Sequence, residues 1–308
     1  MNTYTLSLDN DFTMDKPIVG CIGYFDGLHL GHQSLIKETI KQAKEKNVES
    51  CLISFSPDPW VVINHLENSK HINTVSQRLE IIKSFGIENV IFVEFTLDVA
   101  HLEPKEFINK ILKRCNLKTL VCGFDFHYGY RGKGDYKSLK NDSINLFDTI
   151  EMNKVIYLKE KVSSSRIIKE INNGNVELVN NLLNYDYFIE GEVVKGRQKG
   201  RTIGFPTCNL DVDEELVIMK NGIYIGYVEY NKKHYKAMMN IGHNPTFNYI
   251  ESNSIEVHIL DFSEEIYGEQ IKLIFKKYIC DEKKYEDINE LKEALTKYAK
   301  LASNQPNY

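Results

Sequence analysis

The feature that constrains this chain most is a change of period near residue 184. Before it, short apolar runs that read as buried strands (Ile18 to Ile22, Val48 to Phe55, Asn89 to Phe95, Leu117 to Cys122, Lys154 to Leu158) alternate with stretches of helical spacing (Gln33 to Lys46, Ser76 to Phe85, Pro104 to Lys113). After it the period is two: Phe188 to Val194, Gly222 to Tyr230, Tyr235 to Ile241, Ser254 to Asp261 and Gln270 to Tyr278 follow one another as strands. Tyr285 to Leu301 then closes the chain as a helix with Ile288, Leu291, Leu295 and Tyr298 as its buried stripe. Alternating strands and helices imply a parallel sheet covered on both faces, with ligands at the carboxyl ends of its strands. Consecutive strands imply an antiparallel barrel. The expected architecture is an α/β doubly wound parallel-sheet domain over residues 1–184, then a small antiparallel six-stranded β-barrel domain with a C-terminal helix over 185–308, joined at Asn184 to Tyr187.

Within the first half, Gly23-Tyr24-Phe25-Asp26-Gly27-Leu28-His29-Leu30-Gly31-His32 sits at a strand-to-helix turn. Its glycines let the backbone approach a ligand, and the helix start offers free N–H groups and a positive dipole end to an anion. His29 and His32 are spaced to steady charge on one phosphorus atom. A second anion site is expected at Ser163-Ser164-Ser165-Arg166, where hydroxyls and an arginine precede the helix Ile167 to Asn173. The glycine-rich stretch Gly123 to Asp135 reads as a surface loop.

In the second half, Lys195 to Leu210 carries glycines and basic residues, including Gly200 and Arg201, as in a flap over a polyphosphate. Thr207 and Asn209 are two apart in an extended segment, so both face one side and present oxygen to a hard cation such as Mg2+. Glu256 and His258 likewise share a face, and a carboxylate beside a bound nucleotide can deprotonate an attacking hydroxyl.

Taken whole, GYFDGLHLGH resembles the signature of HxGH nucleotidylyltransferases, and GRxxGRxxGFPTxN from Gly196 to Asn209 resembles riboflavin kinases. The later blocks Asn240 to Phe247, Glu256 to Phe262 and Ile266-Tyr267-Gly268 match in order. The chain is therefore similar to the bacterial bifunctional riboflavin kinase/FAD synthetases over nearly its whole length. That resemblance implies an HxGH-type nucleotidylyltransferase domain that converts FMN and ATP to FAD, and a barrel that phosphorylates riboflavin with ATP to FMN. It implies His29, His32 and Glu256 as catalytic groups. Gly23, Phe25, Asp26, Gly27, Gly31, Asp125, Ser164, Ser165 and Arg166 would bind nucleotide or flavin in the first domain, with Arg131 or Lys133 available to phosphate. In the second, Gly200, Arg201, Thr207 and Asn209 would bind ATP, and Thr207 and Asn209 would hold Mg2+. Two positions depart from the pattern: Asp58 stands between prolines where a histidine is common, and Ile168 replaces a second arginine. They leave open a riboflavin kinase with a weak adenylyltransferase domain. A flavin-binding regulator is the rival from another class.

A formal net charge of −5 argues against a nucleic-acid partner or attraction to an anionic membrane surface. Small-molecule flavins and ATP are the expected partners, a weak homo-oligomer is the most expected of self-association, and the cytoplasm is the expected location. The six cysteines show no CxxC pair and lie in strand-like runs, so neither a disulfide framework nor a zinc site is expected.

Overall fold

A computed structural model describes residues 1–67, 69–196, 200, 203–244 and 252–308. The chain forms two compact units, Met1–Ser164 and Ser165–Tyr308, dividing before the linker expected at Asn184 to Tyr187.

In chain order the first unit contains β1 (Asn2–Leu6), β2 (Ile18–Ile22), α1 (Leu30–Lys46), β3 (Glu49–Ser56), α2 (Pro59–Asn64), α3 (Val75–Ser84), β4 (Asn89–Glu94), α4 (Leu97–Ala100), α5 (Pro104–Lys110), β5 (Leu117–Gly123), α6 (Tyr136–Asp142), β6 (Asp148–Met152) and a small β7 (Ile156–Tyr157) and β8 (Glu160–Lys161) ladder. The main sheet runs β1-β4-β3-β2-β5-β6, and every neighbouring pair is parallel. Period-two alternation divides its apolar side chains between two cores. Ile18, Ile22, Cys51, Ile53, Ile91 and Val93 pack with Phe107, Ile108 and Leu139 on one face, and Val19, Cys21, Leu52, Val90 and Val121 pack with Leu35, Ile36, Ala43 and Ile82 on the other. From β2 the chain moves to β3 and β4 on one side, then returns to β5 on the other. The turn after β2 therefore lies at the topological switch point of the sheet.

Two strands differ from expectation. The edge strand β1 is largely solvent-facing and carries little apolar signal. The last strand is β6, pairing Thr119 to Asp148 through Gly123 to Met152, rather than Lys154 to Leu158. The apolar Val155-Ile156-Tyr157 run that suggests a strand there enters the β7–β8 hairpin, while β6 is a half-buried edge strand with polar residues interleaved.

The second unit contains α7 (Ser164–Asn173), α8 (Val176–Leu183), β9 (Phe188–Val194), β10 (Cys208–Val212), β11 (Gly222–Tyr230), β12 (Lys233–Asn244), β13 (Ser252–Ile259), β14 (Gln270–Cys280) and α9 (Ile288–Ser303). Its strands close as β10-β13-β12-β11-β14-β9, all antiparallel. Closure removes both sheet edges. The sixth strand, β10, lies in the segment that the sequence marks as a flap and its extended continuation. Asn180 on α8 donates to the Phe275 carbonyl at 3.0 Å and accepts from the Tyr187 N–H at 2.8 Å, so α8 and the start of β9 are fixed on the barrel. Tyr187, Tyr224 and Phe275 form an aromatic core, with the Tyr224 ring edge-on to Phe275 at 5.4 Å. The helix α9 is capped by Asp287, which accepts from the N–H groups of Asn289 and Glu290, and it packs Tyr298 and Ala302 on Ile225 and Met238. Ile288, expected in the buried stripe, is 56% exposed. All six cysteines are free thiols, and burial pushes those of Cys21, Cys115 and Cys122 up to about 12.

Gly226 marks the tightest point of the barrel. A Cβ there would lie 1.9 Å from the Ile274 carbonyl oxygen, beside the register shift between Ile225 and Gly226 in the β11–β14 ladder. Because the obstacle is backbone, Gly226→Ala should destabilise the barrel by about 1–3 kcal/mol, as overpacking does. Denaturant unfolding followed by tyrosine fluorescence in the barrel should show the loss, with the parallel-sheet unit unfolding as before.

Candidate active sites

The site of the first unit grows from the end of β2. Gly23 N–H donates to the Ile53 carbonyl at 3.1 Å, and the chain then turns through positive φ at Phe25, Gly27 and Leu28 before α1 begins. Gly27 has φ +77°, and a Cβ there would meet Ile72 at 2.7 Å, so the turn needs glycine for conformation and for space. Gly23 has looser surroundings, where a Cβ would lie 3.4 Å from the Phe25 ring. Phe25 itself is buried and tilts its ring toward His32 at 5.1 Å.

His29 caps α1. Its Nδ1 accepts from the His32 N–H at 3.3 Å, which puts the proton of the neutral ring on Nε2. The two imidazoles stack at 3.7 Å with 11° between their planes. Gly31 makes this possible, since a Cβ there would lie 3.0 Å from His29 Cε1. Burial lowers the His29 pKa to about 4, with Lys161 adding to the effect. Burial also lowers the His32 pKa, helped by His29, Arg78 and Lys161, and His32 Nδ1 is buried with no hydrogen-bond partner among the described residues. Both rings are therefore neutral near pH 7, and His29 Nε2–H is a donor at the start of a helix that itself favours anions.

The neighbouring residues give these groups their places. The Asp26 carboxylate accepts from the backbone N–H groups of Ile72 and Asn73 at 3.0 and 3.3 Å, tying that segment to the turn, and burial raises its pKa. Ser164 Oγ donates to the Asp26 carbonyl at 2.8 Å. Ser165 and Arg166 follow in the first turn of α7, which belongs to the second unit. Asp125 lies at the surface, paired with Lys161 at 2.5 Å, and Arg131 and Lys133 stand over the Tyr130 ring. Asp58 caps α2 through Trp60 N–H and accepts from Ser69 Oγ at 2.7 Å, with His71 3.9 Å away. Those contacts give the carboxylate a structural role, as cap of α2 and acceptor for Ser69. Three groups here lie beyond the reach of sequence reasoning: Lys161, His71 and Arg78, whose Nη1 donates to the Tyr24 carbonyl at 2.9 Å. Each comes from a segment remote from the motif, and no local spacing signals it.

The site of the second unit is one rung of the barrel. Asn209 on β10 pairs with Glu256 on β13, which pairs with Asn240 on β12. Residues directly opposite in antiparallel strands put their side chains on the same face, about 4.5–5.5 Å apart. Thr207 lies two residues before Asn209. Two glycines close on this pair: a Cβ at Gly196 would lie 1.8 Å from Asn209 Nδ2, and one at Gly200 would lie 2.1 Å from the Phe205 carbonyl oxygen and 3.5 Å from Thr207 Oγ1. Arg201 lies outside the described residues. His258 hydrogen-bonds through Nδ1 with the Pro206 carbonyl at 2.7 Å.

Thr207 borders two cavities. One, of about 360 Å³, lies between the barrel wall and α9, and is lined by Glu256, His258, Asn240, Glu282 and Tyr285 with Met238, Leu291 and Leu295 as its apolar wall. The other, of about 70 Å³, is lined by Cys208, Val257, Phe262 and Tyr267. An apolar pocket with a few convergent polar groups suits a flat heteroaromatic molecule carrying a polar tail. Neutral oxygen donors at Thr207 and Asn209 suit a magnesium ion that draws its remaining ligands from phosphate.

The family model described as FAD synthetase matches residues 12–166, and that described as riboflavin kinase matches residues 183–305. The chain is 38% identical over 282 residues to a bifunctional riboflavin kinase/FMN adenylyltransferase of Bacillus subtilis, covering 91% of this chain and 89% of that one. It is 34% identical to the protein of the same name from Listeria monocytogenes, over 91% of this chain and 89% of that one. A solved structure from Streptococcus pneumoniae described as a macrolide-efflux protein is 31% identical, with a TM-score of 0.92 over 99% of this chain and 100% of that one. Among the described residues of the present chain, no helix is long and apolar enough to cross a membrane. With relatives matched across both units, the chain belongs to the bifunctional riboflavin kinase/FMN adenylyltransferase family.

Proposed function

We propose that residues 185–308 phosphorylate riboflavin and residues 1–184 adenylylate the FMN produced, each with its own ATP. The observation that supports the kinase half is the rung Asn209–Glu256–Asn240 beside Thr207, whose carboxylate lines a largely apolar cavity. Riboflavin occupies the larger cavity with its ribityl end toward Glu256. Glu256 takes the proton of the 5′-hydroxyl as that oxygen attacks the γ-phosphorus, and ADP leaves. Thr207 and Asn209 would hold Mg2+, which neutralises charge building up on the phosphate oxygens. Gly196 and Gly200 let the flap backbone close over this pair.

In the first unit an oxygen of the FMN phosphate attacks the α-phosphorus of ATP and pyrophosphate leaves. The nucleophile is already an anion, so no base is required. The neutral imidazoles of His29 and His32 act as donors to the α-phosphate, and the amino end of α1 adds its dipole. Asp58 caps α2 and holds Ser69, and the match to the FAD synthetase model over residues 12–166 favours a working adenylyltransferase over a kinase with an idle partner domain. The soluble small-molecule substrates fit a cytoplasmic enzyme.

Product-resolved chromatography separates the two activities. Glu256→Gln should lower FMN formation from riboflavin by about a hundredfold or more, within the range for a lost general base, while leaving FAD formation from supplied FMN unchanged. His29→Ala with His32→Ala should do the converse. Loss of both activities in either folded variant would contradict the division.

The histidine pair also sets a pH dependence of stability. The folded-state pKa of His29 lies near 4, below its ordinary 6.5, so the unfolded chain binds more protons between those values. Stability from keeping this ring neutral is fully present above about pH 6.5 and is lost as pH falls toward 4, amounting to about 2 kcal/mol between pH 7 and pH 5. Urea unfolding of the parallel-sheet unit at those two pH values should show the fall. A variant with His29→Gln and His32→Gln should show a flatter dependence.

A further inference from the structure

Resting on the kinase reading, we propose that Glu282 is a specificity residue of the barrel site that accepts hydrogen bonds from the secondary hydroxyls of the polyol acceptor. Glu282 lies in the segment between β14 and α9, and it is exposed and lines the same cavity as Glu256. Two features hold its carboxylate there. Asn240, the neighbour of Glu256 on the barrel rung, donates Nδ2–H to Glu282 Oε1 at 3.4 Å. Gly242, two residues further along the same face of β12, leaves the space the carboxylate fills: a Cβ there would lie 2.6 Å from Glu282 Oε1.

The Asn240 contact also fixes the sense of the amide. A carboxylate only accepts, so the NH2 group must face Glu282 and the oxygen must face away. That Oδ1 is buried and accepts nothing among the described residues. The cavity thus presents two acceptor carboxylates, Glu256 and Glu282, each a neighbour of Asn240. Lys283 and Tyr285 supply donors at the same rim. A row of acceptors suits a chain of adjacent hydroxyls, and a carboxylate accepting from sugar hydroxyls is established recognition chemistry. The end hydroxyl meets Glu256 and the secondary hydroxyls meet Glu282, which holds the reacting oxygen in line.

The test compares riboflavin with a flavin bearing a 5-hydroxypentyl side chain, which keeps the terminal hydroxyl and lacks the secondary ones. Wild-type protein should phosphorylate riboflavin with kcat/KM about tenfold higher than the analogue, the size expected for loss of a hydrogen bond to a charged group. Glu282→Ala should remove about that tenfold for riboflavin, mainly through KM, and leave the analogue within about twofold. Unchanged turnover of the analogue shows that the variant is folded. Equal loss on both substrates, no loss on either, or no discrimination by the wild type would overturn the role of Glu282. Failure of the wild type to phosphorylate riboflavin would overturn the kinase reading and this one with it.

Discussion

Both sites depend on polar side chains lying against backbone that carries no Cβ. His29 stacks on His32 because Gly31 leaves its ring room. Asn209 rests on Gly196, and the Glu282 carboxylate on Gly242, in space that a Cβ would otherwise take. The physical gain is twofold. The missing Cβ gives a polar side chain room beside the backbone, and the backbone N–H groups there stay within reach of a ligand.

The two units reach this arrangement differently. In the parallel sheet the ligand-facing groups gather at one end, where strands stop and helices start, and the switch point beside β2 opens a crevice there. The histidines are buried in that end and neutral, so in the proposed reaction they would serve as dipolar donors and not as cations. In the barrel no strand ends are shared, and the chemistry lies across the wall. Neighbouring strands place Asn209, Glu256 and Asn240 side by side on the face opposite the apolar Ile255 and Val257. Closure fixes that register, because a shift of one residue would exchange the polar row for the core row.

Much of the fold is legible in the chain. Strongly apolar central strands such as β2, β3 and β5 announce themselves, since burial on both faces demands continuous hydrophobic runs. Edge strands β1 and β6 carry mixed residues and give no such signal, as edges bury only part of their surface. The signature motifs are legible for a related reason: glycine and histidine positions there are dictated by local turn geometry.

By itself the sequence determined the two architectures and the turn that holds His29 and His32, because each follows from periods and spacings within a single segment. Only the tertiary structure decided that the histidines are neutral, that Asp58 is engaged by Ser69, that Lys161 and Arg78 surround the first site, and that Asn240 and Glu282 join Glu256 at the second. Burial and cross-strand register are set by segments far apart in the chain, and spacing within one segment does not encode them.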